Sequence, residues 1–160
     1  MKTVTFKLLF LISTCVFCLP FMACSQTKFL NDLPTGEGIE KVYISETIFS
    51  IMQSDEEFKR DDFANLLGGD NSYEYYQCNK PELFPSIKEK YDKMFLKYDK
   101  EVLTNSEDDK SDFTIFVLYP KGKRKDPVGL VKAEFSPNSI NITIFNGKIN
   151  LEGLGKLFNS

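Results

Sequence analysis

A chain of 160 residues with 23 acidic and 20 basic side chains, a formal net charge of −3 and no histidine is sized for one ordinary domain. It offers no domain-wide basic surface for nucleic acid. The missing histidine excludes Ser-His-Asp and Cys-His catalysis and every histidine metal site.

The first segment reads as an address. Lys2 and Lys7 flank an apolar run from Leu8 to Leu19, and Phe21-Met22-Ala23-Cys24 places a small residue directly before a cysteine. This is the pattern of a lipoprotein export signal over residues 1–23, with lipid attached at Cys24. Two alternatives stay open: a retained membrane helix over Phe6 to Met22, which is near the lower length limit and is broken by Pro20, and plain secretion. Cys15 and Cys18 would leave with the signal, so a mature chain has Cys78 alone and no internal disulfide. The fifteen Phe and seven Tyr must then supply the core.

After Cys24 the chain is polar and rich in breakers, with Asn31, Asp32, Pro34, Gly36 and Gly38. Residues 24–38 read as a flexible tether, and residues 39–160 as a single domain. Glu40 to Ile44 forms a short strand. Ser45 caps a helix whose apolar face carries Ile48, Ile51 and Met52 together with Ile44. A second helix begins at the capping box Ser54-x-x-Glu57 and ends at Gly68-Gly69. Ser72 to Cys78 is a strand, and a third helix starts at Ser86-x-x-Glu89, with Ile87, Tyr91, Met94 and Tyr98 at helical spacing.

Beyond it, Glu101 to Thr104, Asp112 to Tyr119, Val128 to Phe135 and Ser139 to Phe145 are strands joined by short polar connections, which favour antiparallel pairing. Asn150 caps a closing helix that presents Leu151, Leu154, Leu157 and Phe158. The expected fold is α+β, a mostly antiparallel sheet of about five strands with helices packed on one face.

Two segments carry a family resemblance. Val42-Tyr43-Ile44-Ser45 leading into an apolar helix, and Ile142-Thr143-Ile144-Phe145-Asn146-Gly147-Lys148-Ile149-Asn150-Leu151 with its closing helix, resemble the domain-of-unknown-function family 4252 of Bacteroides-type lipoproteins. The resemblance runs from about Ile39 to Phe158 and matches Gln53 to Asp109 only loosely. It implies a lipid-anchored envelope address and a small α+β domain, with no assigned activity and no catalytic residue to carry over. Members are often encoded beside sigma factors, which implies a signalling setting. In such bacteria acidic runs beside the lipidated cysteine accompany display on the cell exterior. Ser25-Gln26-Thr27-Lys28 has none, so the expected location is the outer membrane facing the periplasm.

Candidate chemistry is sparse. The acidic clusters Asp55-Glu56-Glu57, Asp61-Asp62 and Glu107-Asp108-Asp109 read as solvated surface or helix N-terminal turns. A calcium loop starting at Asn105 would put Lys110 where Gly is needed and Phe116 where Glu is needed, so no metal is expected. Gly153-x-Gly155 lacks the third glycine of a dinucleotide loop, and no cofactor is expected. Cys78 reads as a small buried hydrophobe at a strand end.

Lys121-Gly122-Lys123-Arg124-Lys125 reads as a hairpin tip. Lys121, Lys123, Arg124 and Lys125 are candidate contacts to anionic headgroups or an acidic partner, without the interleaved aromatics of single-stranded nucleic-acid binding. The expected function is a non-catalytic binding or signalling module, held to the membrane by lipid, whose partner is an unidentified envelope protein or ligand. The alternative is a small envelope enzyme using carboxylates or Cys78.

Overall fold

The computed structural model describes residues 28–52, 71–107 and 111–150. Among them, six strands form one sheet: β1 (Ile39–Ile44), β2 (Ser72–Cys78), β3 (Tyr98–Glu107), β4 (Asp112–Pro120), β5 (Gly129–Phe135) and β6 (Ile140–Asn146). Their spatial order is β1-β2-β6-β5-β4-β3, and every neighbouring pair is antiparallel. The edges are therefore β1 and β3. Two α-helices accompany the sheet, α1 (Glu46–Met52) and α2 (Phe84–Met94), with 3-10 turns at Phe29–Asp32 and Pro81–Leu83.

Alternation explains the two faces. In β6, Ile140, Ile142 and Ile144 are all buried, and successive strand side chains point to opposite faces, so the three share one side. Burying each is worth about 1.5–3 kcal/mol. The register sets Ile142 opposite Tyr76 and Ile140 opposite Cys78 on β2, and Ile144 opposite Val131 on β5. This face packs with Phe116, Leu118, Ile87 of α2, Phe95, and Phe29, Leu30 and Leu33 from the N-terminal segment. The opposite face gathers Val117, Tyr119, Leu130 and Phe145 with Phe49 of α1 and with Ile149.

The sheet thus has six strands rather than about five, and helices lie against both of its faces. Both faces carry buried apolar side chains, so each requires cover. The burial of Phe49 between Ile48 and Ser50 also corrects the reading of α1. Ile48, Ile51 and Met52 are exposed, and Phe49 is the buried residue of this helix. Ser45 does cap it, its Oγ accepting the Ile48 N–H at 3.4 Å.

At α2 the expected capping box is displaced. The helix begins at Phe84, with Pro85 in its first turn and no side-chain cap, which suits a residue lacking an N–H. Ser86 lies inside it. Ile87 is fully buried, Tyr91 and Met94 pack against the same cluster, and the helix stops before Tyr98, which opens β3. The expected helices after Ser54 and Asn150 lie outside the described residues.

Strand β3 is longer than Glu101–Thr104. It has an irregular register between Val102 and Thr104, and Val102 is exposed. A bulge and charged residues such as Lys100 and Glu101 on an edge strand oppose pairing with another chain.

The packed chain also starts before Ile39. Phe29, Leu30 and Leu33 are buried, so the expected tether to residue 38 includes a core segment. Its breakers remain as turns: Gly36 and Gly38 have positive φ.

Candidate functional site

The N-terminal 3-10 turn is held by a buried carboxylate. Glu74, in the interior strand β2, is only 3 % exposed. Its Oε1 accepts the Phe29 N–H at 3.1 Å and its Oε2 the Leu30 N–H at 3.0 Å. The Asn146 side-chain amide on β6 donates to Oε1 at 2.8 Å. The first backbone donors of a helical turn have no partner within it, and an acceptor bearing negative charge is a strong one.

At the other end of the turn, Lys41 Nζ donates to the Asn31 carbonyl at 3.2 Å and Lys90 Nζ to the Asp32 carbonyl at 2.6 Å. Burial lowers the pKa of Lys41, with Glu74 and Asp32 opposing that shift. The turn is therefore gripped by an anion at its N–H end and cations at its carbonyl end. The Phe29 ring completes the attachment, 5.3 Å from Phe95 and 5.6 Å from Tyr98 between centroids.

Beside this turn lies an open depression of about 560 Å³ lined by Lys28, Phe29, Asp32, Lys90, Lys93, Met94, Leu96 and Lys97. Four lysines face one carboxylate, around an apolar floor. Leu96 is 69 % exposed at its rim. Lys28 Nζ lies 4.1 Å from the Tyr43 ring centroid, a cation–π distance. Lys93 pairs with Glu89 at 2.6 Å, and that ammonium lowers the Glu89 pKa. Three separate stretches build this surface: residues 28–32, the C-terminal part of α2 from Lys90 to Met94, and the connection into β3.

The candidate contacts Lys121, Lys123, Arg124 and Lys125 occupy the exposed β4–β5 tip. There Gly122, at φ 75°, donates its N–H to Asp99 Oδ2 at 2.8 Å. Tyr98 is paired with Pro120 and its ring meets Phe29. The tip and the lysine-lined depression consequently lie at the same end of the sheet. Cys24 precedes the described residues, four positions before Lys28.

The remaining candidates are placed as follows. Cys78 is the last residue of β2 and fully buried, its thiol 3.8 Å from the Lys80 carbonyl. At the far end of the sheet a smaller depression of about 270 Å³ is lined by Asp92, Glu107 and Asp112 together with Lys88, Tyr91, Asn105, Thr114 and Phe135. Asp112 lies 3.8 Å from Lys88, and Asn105 Oδ1 accepts from Thr114 at 2.8 Å. Among the described residues no three His, Cys, Asp or Glu side chains converge as metal ligands. The clusters at residues 55–57, 61–62 and 108–109 and the Gly153-x-Gly155 pair fall outside the described residues.

Tyrosine chemistry gives a pH signature. Burial is the chief cause that raises the pKa of Tyr76 and of Tyr91 furthest above the ordinary 10.0, aided by the Cys78 thiol beside Tyr76 and by Asp92 near Tyr91. Among the described residues the Tyr76 hydroxyl has no partner at hydrogen-bonding geometry. A raised folded-state pKa favours the neutral phenol. Its contribution is present below pH 10 and is lost as pH climbs through the interval above it.

In an alkaline titration followed by tyrosinate absorbance and circular dichroism, these two of the seven tyrosines should ionise only as the fold is lost. Tyr91→Phe should move the alkaline transition to higher pH. Complete tyrosine ionisation with the dichroism unchanged would contradict both expectations.

Comparison with known proteins finds no family model, no curated protein and no solved structure that matches this chain.

Proposed function

We propose that this chain is a lipid-anchored protein of the cell envelope whose folded domain is a non-catalytic binding or signalling module. The observation that carries the reading is the order of its first residues: a lysine-flanked apolar run ending at Ala23-Cys24, as a lipid-modifying export pathway requires. The resemblance to Bacteroides-type lipoproteins supports the same address, with the domain on the periplasmic face of the outer membrane. On the domain itself, the buried thiol of Cys78 and the basic end near the N-terminus favour a surface that binds over a pocket that reacts.

The experiment is incorporation of a labelled fatty acid into the wild-type chain and Cys24→Ala, with membrane fractionation of both. Label and membrane retention should be present in the wild type and lost in the variant. Equal, unlabelled and soluble behaviour would mean simple secretion and overturn the reading.

A further inference from the structure

The anchor position, the packed N-terminal turn and the lysine-lined depression bear on one another through chain length. Only residues 25–27 separate Cys24 from Lys28. An extended chain advances at most about 3.3–3.6 Å per residue, so Lys28 lies within roughly 14 Å of Cys24. The next two residues are fixed to Glu74 through their backbone N–H groups, which denies the domain a long leash. A lipid on Cys24 therefore brings the Lys28 end of the sheet to the membrane rather than leaving orientation free.

That end is suited to an anionic surface. Lys28, Lys90, Lys93 and Lys97 surround the depression with Asp32 as the one acid in its lining, and exposed Leu96 stands among them. Lys121, Lys123, Arg124 and Lys125 project from the adjoining tip. At physiological salt the screening length is about 8 Å, so charges pressed against a headgroup layer are felt, while charges at the far end of the sheet are not. Long lysine stems can lie along an apolar surface while their ammonium groups reach phosphates. The small depression at the far end, lined by Asp92, Glu107 and Asp112, has the opposite character.

We propose that the depression formed by Lys28, Lys90, Lys93 and Lys97 is the face this domain lays on an anionic lipid surface, with Leu96 entering the headgroup layer. The assignment deepens the lipid-anchor reading and rests on it. Docking holds the basic end down and turns the far end of the sheet, with its carboxylates, away from the membrane toward whatever the domain binds.

The test uses the full chain made in a lipoprotein-processing host, purified, and reconstituted into phosphatidylcholine vesicles with and without phosphatidylglycerol. A fluorophore on Leu96→Cys reports depth through quenching by brominated lipid. Cys78 is buried and Cys24 would carry lipid, so the label is selective. Flotation with neutral vesicles reports the anchor, and quenching reports docking, so the two readings fail separately.

Quenching is expected in phosphatidylglycerol vesicles and not in neutral ones. It should weaken with salt, and the ratio of docked to undocked domain should fall roughly fivefold for each of Lys28→Gln and Lys97→Gln. Flotation should be unchanged in both variants. A label that stays unquenched while the protein floats would overturn the proposal and leave the lysines to an acidic protein partner, as would quenching that ignores lipid charge and both substitutions.

If the chain does not float with neutral vesicles, the anchor reading fails. In that case co-flotation with phosphatidylglycerol vesicles that is lost on Lys28→Gln and Lys97→Gln retains the docking face, and its absence overturns it.

Discussion

Glu74→Ala should destabilise the domain by about 3–5 kcal/mol, read as a fall in the urea midpoint. The carboxylate accepts from two backbone N–H groups and one side-chain amide, all at 3.1 Å or less. Removing it leaves those donors facing a space from which water is largely excluded. Each unmet buried donor costs about 1–3 kcal/mol, and charge-assisted bonds lie at the stronger end. Glu74→Gln keeps the shape but loses the charge and turns one acceptor into a donor facing other donors. It should cost less than the alanine variant, about 1–3 kcal/mol.

Asn146→Ala in the Glu74→Ala background should then add little, because its partner is already gone. Additive losses in that double-mutant cycle would show that the two side chains act independently. Against a total domain stability of about 5–15 kcal/mol, the alanine change would bring a marginal domain close to unfolding. It should also free the N-terminal turn for proteolysis near residue 28.

Phe95→Ala is expected to cost about 3–5 kcal/mol through the cavity it opens. Phe95 is fully buried and meets three other rings: Phe29 at 5.3 Å, Tyr91 at 5.4 Å edge-on and Phe116 at 5.3 Å edge-on. It joins the N-terminal turn, α2 and β4 in one contact set, so nothing nearby can collapse into the space without moving all three. Phe95→Leu retains much of the volume and should cost about 1.5 kcal/mol or less. Thermal and urea unfolding of both variants would check the ordering; a Phe95→Ala loss no larger than that of Phe95→Leu would contradict the packing account.

The strands were legible where one face is buried and the other is not. Ser72–Cys78 matches its expected bounds, and Ile140, Ile142 and Ile144 alternate with Asn141 and Thr143. Strand β3 was seen only in its middle because it is an edge with a bulge, and much of it is exposed on both sides. Without one dry face there is no alternation to read. In α1, apolar residues at positions 48, 49, 51 and 52 surround most of the helix, and only the tertiary position of the second cluster selects Phe49.

The N-terminal turn was hidden for a different reason. Four residues ahead of a proline and two glycines show no period, and the two of them that are buried, Phe29 and Leu30, are held by a glutamate 44 residues away from Leu30. A glutamate between two tyrosines gives no sign that it will be buried. The same non-locality concealed the lysine-lined depression, whose four lysines have unremarkable spacing until the turn folds back against α2. The run at 121–125, by contrast, was visible as a tip because its charges are contiguous.

The seating of the N-terminal turn also has a mechanical meaning. Tension applied to the chain ahead of Lys28 is passed into the sheet at Glu74, on a strand flanked by β1 and β6, rather than at a free edge. A load entering an edge strand can separate its hydrogen bonds one after another, whereas β2 is held on both sides along its length. The carboxylate grip and the Phe29 ring are therefore the first contacts to bear that load. Beyond that grip the next strand along the chain is β1, which starts at Ile39 on the edge of the sheet, so the seated turn keeps tension off the edge for as long as it holds.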